Sequence, residues 1–222
     1  MGTEIKLTAA DGHQLNAYLA ESAKPSASLV VIQEIFGVNS HIRRVADDYA
    51  SEGIRVIAPG LFDRVQPNLE FGYGPEDMAR GLEVRGKIGQ DSMMKDVAAA
   101  IAYADHASHG GKTGVLGYCL GGTLAWLSAT WLNVAAAVGY YGGRTAEHAK
   151  ENPRCPVMLH FGAKDQHISL SEIDKIRRAH PDIPIFIYDA GHGFNCEERK
   201  DYEPKSASLA RERTLEFLRK YL

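Results

Sequence analysis

Four side chains in this sequence suit acyl-transfer chemistry: one thiol, one imidazole and two carboxylates. Cys119 is the central residue of Gly117-Tyr118-Cys119-Leu120-Gly121-Gly122, between the apolar pair Val115-Leu116 and an apolar helical pattern. Glycine two residues away on each side of a nucleophile is the pattern of a sharp strand-to-helix turn. The central residue there adopts a strained backbone, and any side chain at the flanking positions would clash with it, so Gly117 and Gly121 fit the turn. A thiol placed at a helix N-terminus gains from the dipole, which favours a thiolate and aims N–H groups at an oxyanion. The turn by itself is equally compatible with a buried structural cysteine. The choice rests on what else the chain supplies.

Three further segments supply it. His192 lies in Gly191-His192-Gly193-Phe194, Asp165 in Gly162-Ala163-Lys164-Asp165, and Glu34 in Gln33-Glu34-Ile35-Phe36-Gly37. A histidine exchanges protons with a thiol near neutral pH, and a carboxylate holds the imidazole in the useful tautomer. The order along the chain is nucleophile, acid, histidine, which is the order in α/β-hydrolases. Each residue has a plainer alternative: a solvated turn histidine, a loop-capping Asp165 and an exposed Glu34. Cys155, before Pro156, reads as structural. Cys196 lies near His192 without a second ligand at metal spacing, so zinc is not expected. Gly110-Gly111-Lys112-Thr113 resembles a phosphate-binding loop only superficially, because it precedes a strand instead of following one.

The elements that must position these groups can be read from periodicity. Thr3 to Ala9 and Gln14 to Ala20 alternate around Asp11-Gly12, which predicts a β-hairpin. Leu29 to Ile32, Arg55 to Ala58, Asn133 to Tyr140, Pro156 to Phe161 and Ile183 to Tyr188 predict further strands, the apolar runs being those of strands covered on both faces. Ser40 to Gly53 and Asp91 to Ala107 predict helices, as do Ser169 to His180, opened by a capping box, and a final stretch from Pro204. A weak helix is expected around Thr145 to Lys150. Leu61 to about Lys87, rich in Gly, Pro and aromatics, reads as an irregular connection, either a lid or pocket wall or an ordinary surface excursion. Alternating strands and helices imply a mostly parallel sheet wrapped on both faces, with reactive groups beyond the carboxyl ends of the strands. Glu34, Cys119, Asp165 and His192 each follow a predicted strand.

Composition narrows the classes. A length of 222 residues suits a single domain over 1–222. A net charge of −3 offers no pull toward nucleic acid or an anionic membrane, so neither is expected as a partner. The opening MGTEIKLTAADG holds no apolar signal core, and the three cysteines form neither a CxxC pair nor an even set. A reduced, cytoplasmic compartment is the expectation. No run approaches the roughly 20 apolar residues a membrane helix needs.

Taken together, the segments resemble the dienelactone hydrolase family, the cysteine-dependent branch of the α/β-hydrolases. The markers are Gln33-Glu34-Ile35-Phe36-Gly37, Gly117-Tyr118-Cys119-Leu120-Gly121-Gly122, Tyr140-Tyr141-Gly142, Gly162-x-x-Asp165 and Ala190-Gly191-His192-Gly193-Phe194. The resemblance spans nearly the whole chain. It implies an α/β-hydrolase fold that opens enol lactones of the dienelactone type to maleylacetate in bacterial breakdown of aromatics. It implies Cys119, His192 and Asp165 as the triad, with Glu34 keeping the resting thiol neutral and taking its proton when substrate arrives. Backbone N–H groups of Leu120 and Ile35 would hold the oxyanion. Phe36 and Tyr118 are candidates for the substrate pocket. The family's better-known members clamp the substrate carboxylate with two arginines. One of those positions, four residues after the histidine, is Cys196 here. Arg199 is the nearest substitute, and Arg80 and Arg85 are candidates for the second.

The expected protein is therefore a monomeric hydrolase of a small lactone or ester, with an anionic substrate in view and no metal or organic cofactor. A general carboxylesterase or thioesterase on the same scaffold is the second reading. A catalytically silent binding or redox-sensing protein, with Cys119 as an oxidisable thiol, is the third.

Overall fold

The computed structural model describes residues 2–107 and 111–222. Gly110, the first residue of the phosphate-loop-like segment, lies outside them. The chain forms two compact units, one running to Gly114 and including Leu222, the other covering Val115–Tyr221.

In the first unit, β1 (Thr3–Thr8) and β2 (Gln14–Ala20) pair antiparallel, with Ile5 opposite Ala17 and Leu7 opposite Leu15. Gly12 takes a φ of 84° at the connecting turn, which explains the glycine there. β3 (Ala27–Ile32) is buried at every position, as its apolar run predicts, and pairs parallel with β4 (Ile54–Pro59). The strand order in this unit is β1-β2-β4-β3. Helix α1 (Ser40–Ser51) packs on β4, and its first turn is capped by Asn39, whose side chain accepts from the Ile42 N–H at 3.2 Å.

The stretch from Leu61 to Lys87 is more regular than expected. It contains a 3-10 turn, Leu61–Arg64, and a full helix, α2 (Pro75–Gly86). The helix signals were present: Pro75 in the first turn followed by Glu76 and Asp77, and Arg85 in the last turn. Gly81 obscured them. It is not a breaker but a contact, since a Cβ there would lie 2.2 Å from the Ile35 carbonyl oxygen. Helix α3 (Gln90–Ala107) follows and packs on β3 and β4.

The second unit carries β5 (Thr113–Tyr118) from Val115 onward, β6 (Ala136–Tyr140), β7 (Val157–Gly162) and β8 (Ile185–Tyr188) in simple sequential order. β7 pairs parallel with both β6 and β8. Three of these strands start later than expected, β7 by a single residue after Pro156. β8 opens at Ile185 because Pro184 has no N–H to give the ladder, although its carbonyl still accepts from Leu159 at 2.9 Å. β6 opens at Ala136, after Leu132 has ended the preceding helix in an extended conformation.

Helix α4 (Leu120–Trp131) packs on β6 and is buried along nearly its whole length. The weak helix near Thr145 is a 3-10 turn, Thr145–His148. Helix α5 (Leu170–Ala179) is opened by the expected capping box of Ser169 and Glu172. Helix α6 (Pro204–Tyr221) buries Ala210, Thr214 and Phe217 against β6 and β7.

Among the described residues, no helix is long and apolar enough to cross a membrane.

Candidate active site

Cys119 sits at the junction of β5 and α4 with φ 54° and ψ −112°, a conformation that L residues rarely hold. The turn closes so tightly that a Cβ on Gly117 would lie 1.9 Å from the Gly121 carbonyl oxygen, so glycine at 117 is obligatory. The Cys119 N–H donates to the Tyr140 carbonyl at 3.0 Å, which ties the turn to the end of β6. The cysteine is therefore held at the first turn of α4 by backbone alone, with its side chain free to serve another purpose.

That side chain meets His192. The sulfur lies 3.2 Å from His192 Nε2, and His192 Nδ1 lies 2.7 Å from Asp165 Oδ2. Asp165 follows β7. Its other oxygen, Oδ1, accepts the backbone N–H groups of His167 at 2.7 Å and Ile168 at 3.1 Å. The carboxylate is thus fixed by its own loop and leaves one oxygen for the imidazole. His192 lies in the loop after β8, between Gly191 and Gly193. Gly193 has φ 77°, and the space over its Cα is filled by the Arg199 guanidinium, which would lie 2.6 Å from any Cβ there. The loop conformation therefore demands glycine and at the same time brings Arg199 alongside the histidine's neighbour.

The electrostatics agree with the geometry. Burial pushes the Asp165 carboxyl upward, but the His192 hydrogen bond and charge and the two loop N–H groups outweigh it and hold the group below the usual carboxylate range. Burial likewise opposes charge on His192, yet the Cys119 sulfur and the Asp165 carboxylate beside it win, and its pKa is raised to about 10. Cys155 shows the opposite case: burial without a counter-charge pushes its thiol up to about 11, in keeping with a structural role.

The remaining sequence candidates fall as follows. Leu120 is the first residue of α4, so its N–H belongs to the helix's open first turn. Tyr118, on β5, is 1% exposed and packs on Tyr140 at a centroid distance of 4.8 Å. Arg199 is half-buried against Gly193, while Cys196 is fully buried. Glu34, Ile35, Phe36, Arg80 and Arg85 belong to the first unit. There Glu34 is fully buried and accepts from the Tyr73 hydroxyl at 3.1 Å. Phe36, also fully buried, packs edge-on to Tyr73 at 4.6 Å. Arg80, exposed on α2, lies over the Phe71 ring at 4.9 Å, and Arg85 is in the last turn of that helix.

Three residues beside the predicted site were not singled out from sequence. Tyr73 partners Glu34. His167 stands edge-on to His192 at 5.1 Å, and Tyr141 packs its ring against His192 at 5.1 Å. Tyr141 was visible only as part of a turn motif, and the other two carry no local signal, since their contacts come from chain distant in sequence.

With this geometry in place, the comparisons with known proteins are specific. The family model for the dienelactone hydrolase family matches residues 15–222. A carboxymethylenebutenolidase of Pseudomonas putida is 35% identical over 226 aligned positions, covering 96% of this chain and 94% of its own. A candidate dienelactone hydrolase of Klebsiella pneumoniae superposes with a TM-score of 0.82 at 28% identity, covering 99% of this chain and 100% of its own. The dienelactone hydrolase of Anabaena variabilis shares the fold with a TM-score of 0.74 at 16% identity, over 100% of this chain and 98% of its own. The α/β-hydrolase fold expected from the sequence is the one observed, a mostly parallel α/β arrangement with an antiparallel hairpin at its N-terminal end.

Proposed function

Because this chain belongs to the dienelactone hydrolase family and is a hydrolase of ester or lactone bonds, we propose that Cys119 is its nucleophile, His192 its proton carrier and Asp165 the residue that orients the imidazole. One observation carries the reading: the unbroken relay from Cys119 Sγ through Nε2 and Nδ1 of His192 to Asp165 Oδ2, at 3.2 and 2.7 Å. A thiolate paired with an imidazolium is the reactive form of a cysteine nucleophile at neutral pH.

The steps follow from that pairing. The Cys119 thiolate adds to the substrate carbonyl, and the carbonyl electron pair moves onto oxygen. The family resemblance assigns the oxyanion to the N–H groups of Leu120, at the open start of α4, and Ile35. A donor of this kind contributes about 3–4 kcal/mol in other hydrolases. Collapse expels the leaving oxygen, which takes its proton from His192, and a thioester remains on Cys119. Water then attacks the thioester with His192 as base, and the acid product leaves as the thiolate and imidazolium re-form. None of these steps calls on a metal or organic cofactor. In this scheme Glu34 takes the proton of the resting thiol as substrate arrives and returns it to the thiolate after the product has left, a role assigned by the resemblance and compatible with a fully buried carboxylate held by Tyr73.

The substrate class follows from the relatives, which are carboxymethylenebutenolidases: an enol lactone bearing a carboxylate. Arg199, whose guanidinium lies against Gly193 beside His192, is the cation of the second unit that this reading assigns to that carboxylate, with a bidentate pair fixing orientation. Arg80 and Arg85 stand as further candidates, and Phe36 and Tyr118 as apolar walls. The protein acts in this reading as a cytoplasmic monomer and a single functional domain. One observation favours a second reading, a general carboxylesterase or thioesterase: Cys196 occupies a position where better-known members have arginine, and it is fully buried.

The test is turnover of a p-nitrophenyl ester and of a carboxylated enol lactone, before and after iodoacetamide. The proposal expects both activities and their loss on alkylation of Cys119. Alkylation without any turnover to lose would favour a silent thiol protein, and turnover that survives complete alkylation would remove Cys119 from the mechanism.

A further inference from the structure

Among the described residues, the non-glycine residues with positive φ are Asn68, Cys119 and Tyr141. Asparagine tolerates this region, whereas an aromatic residue there is a genuine outlier. Cys119 has its strain at the nucleophile. Tyr141, with φ 38°, stands at the end of β6, and the two are coupled: Cys119 N–H donates to the carbonyl of Tyr140, and Tyr141 N–H donates to the carbonyl of His160 at 2.7 Å. Strain of this kind persists where the surroundings over-determine it, and it clusters where a side chain must be aimed.

Tyr141 is aimed at His192. The two ring centroids are 5.1 Å apart with their planes tilted at 57°, within the roughly 6 Å over which an aromatic ring and a cation interact. The tyrosine is fully buried and backed by Phe194 at 5.5 Å and Tyr118 at 6.1 Å, so its ring has no freedom to turn away. We propose that Tyr141 is a positioning residue whose aromatic face supports the His192 imidazolium and keeps its ring in line between Asp165 and Cys119. The proposal rests on the triad reading above and deepens it. The imidazolium needs such support because burial works against its charge, while the charge is nonetheless retained up to about pH 10. The groups of the second unit that face it are Cys119 from the turn after β5, Asp165 and His167 from the loop after β7, and Tyr141 from the end of β6; Arg199 lies on the adjoining Gly193. Of these, the carboxylate and the sulfur lie along the edges of the imidazole, and Tyr141 brings an aromatic ring against it.

The experiment replaces Tyr141 by phenylalanine, by leucine and by a series of increasingly fluorinated phenylalanines, which keep the ring's shape while draining its face of negative charge. The readout is the titration midpoint of His192, followed by NMR of its ring carbons in the resting protein, together with kcat and KM on a p-nitrophenyl ester. Tyr141→Phe is expected to keep the midpoint and to stay within about twofold of native kcat, because the face remains. Tyr141→Leu is expected to lower the midpoint by about one pH unit, a tenfold change in the ionisation constant, and to lower kcat with little change in KM. The fluorinated series is expected to lower the midpoint stepwise with each added fluorine. A flat fluorinated series would overturn the proposal and leave Tyr141 as core packing, and it decides the matter even if the leucine variant does not fold. Loss of activity in a folded Tyr141→Phe would also overturn it, by moving the role to the hydroxyl. Because the midpoint is read without substrate, failure of the triad reading would show separately, as absent turnover with the midpoint shifts intact.

Discussion

His192 and His160 lie in the same unit of the molecule, both buried, and they are driven in opposite directions. His160, on β7, places Nδ1 2.8 Å from the Tyr188 hydroxyl and Nε2 3.1 Å from Thr214 Oγ1. Arg213 donates to the same Tyr188 oxygen at 3.2 Å, so the tyrosine's own proton is available to Nδ1, and Nε2–H is left to donate to Thr214. Every partner within bonding reach of the ring is neutral. Burial, helped by the Arg213 charge, lowers its pKa to about 3. His192 is nearly as buried, yet its partners are a carboxylate and a sulfur that can carry negative charge, and it is raised to about 10. Burial therefore does not decide what a histidine is for. The charge of its partners does: one ring joins strand to helix as a neutral spacer, and the other holds its proton between a carboxylate and a sulfur.

The same contrast assigns the two ends of the pH range. A histidine lowered in the folded state contributes stability above its unfolded value near 6.5, and that contribution is lost as pH falls toward about 3. A histidine raised in the folded state contributes below 6.5 and loses its contribution as pH rises through about 10. Of these two histidines, His160 adds to the acid sensitivity that the lowered Asp165 carboxyl also brings, and His192 loses its contribution at the alkaline end.

The largest expected effect falls on the charged side of the comparison. Cys119→Ala or His192→Gln should lower kcat/KM by up to about six decades in a protein that still folds, His192→Gln also giving up the stability that the raised imidazole contributes below about pH 10. Steady-state kinetics beside a thermal melt check this, and near-native turnover in either variant would break the contrast. Asp165→Asn is expected to cost about 10⁴-fold, since an amide facing Nδ1 selects the wrong tautomer. Glu34→Gln should fold normally and slow acylation by about 10²- to 10⁴-fold, the usual worth of a general base. Stopped-flow acylation rates equal to native would reduce Glu34 to a buried structural carboxylate. Arg199→Ala should lose about 10- to 150-fold in kcat/KM on a carboxylated enol lactone and little on a neutral ester, from the removal of one charged hydrogen bond of roughly 1.5–3 kcal/mol. Equal losses on both substrates would place its role in the loop rather than in recognition.

The smallest effect on chemistry comes from the neutral histidine. His160→Phe should leave kcat near native in the folded fraction but destabilise the protein by about 1–3 kcal/mol, because the Tyr188 hydroxyl loses the acceptor of its proton, whereas Thr214 keeps its 2.7 Å bond to the Tyr140 hydroxyl. It should also flatten the acid limb: below pH 6.5 the native protein loses up to about 1.4 kcal/mol per pH unit through this residue, and the variant does not. Denaturant melts between pH 4 and 7 would show the difference in slope.

How much of this was legible in the sequence depended on whether the cause was local. The turn at Cys119 and the capping box at Ser169 are written in adjacent residues, and both were readable as such. The sequence also singled out Cys119, Asp165 and His192, which the fold brings within hydrogen-bond reach of one another. The helix at Pro75–Gly86 was missed because Gly81 reads as a breaker, when its purpose is contact with the Ile35 carbonyl, a partner 46 positions earlier (81 − 35). His160 showed only as a residue of a strand, because what neutralises it is spread over β8 and α6. Tyr141 was similarly hidden: its motif announces a turn, and only the fold brings the ring to His192.

The central claim, that hydrolysis proceeds through a thioester on Cys119, is tested most directly by rapid-quench mass spectrometry. The protein is mixed with p-nitrophenyl acetate, acid-quenched within milliseconds and digested. The account predicts an acetyl adduct on the peptide containing Cys119, labile to hydroxylamine, that forms and decays at rates matching turnover and is absent from Cys119→Ala. Turnover with no adduct on that peptide, or with a kinetically competent adduct on another residue, would contradict it.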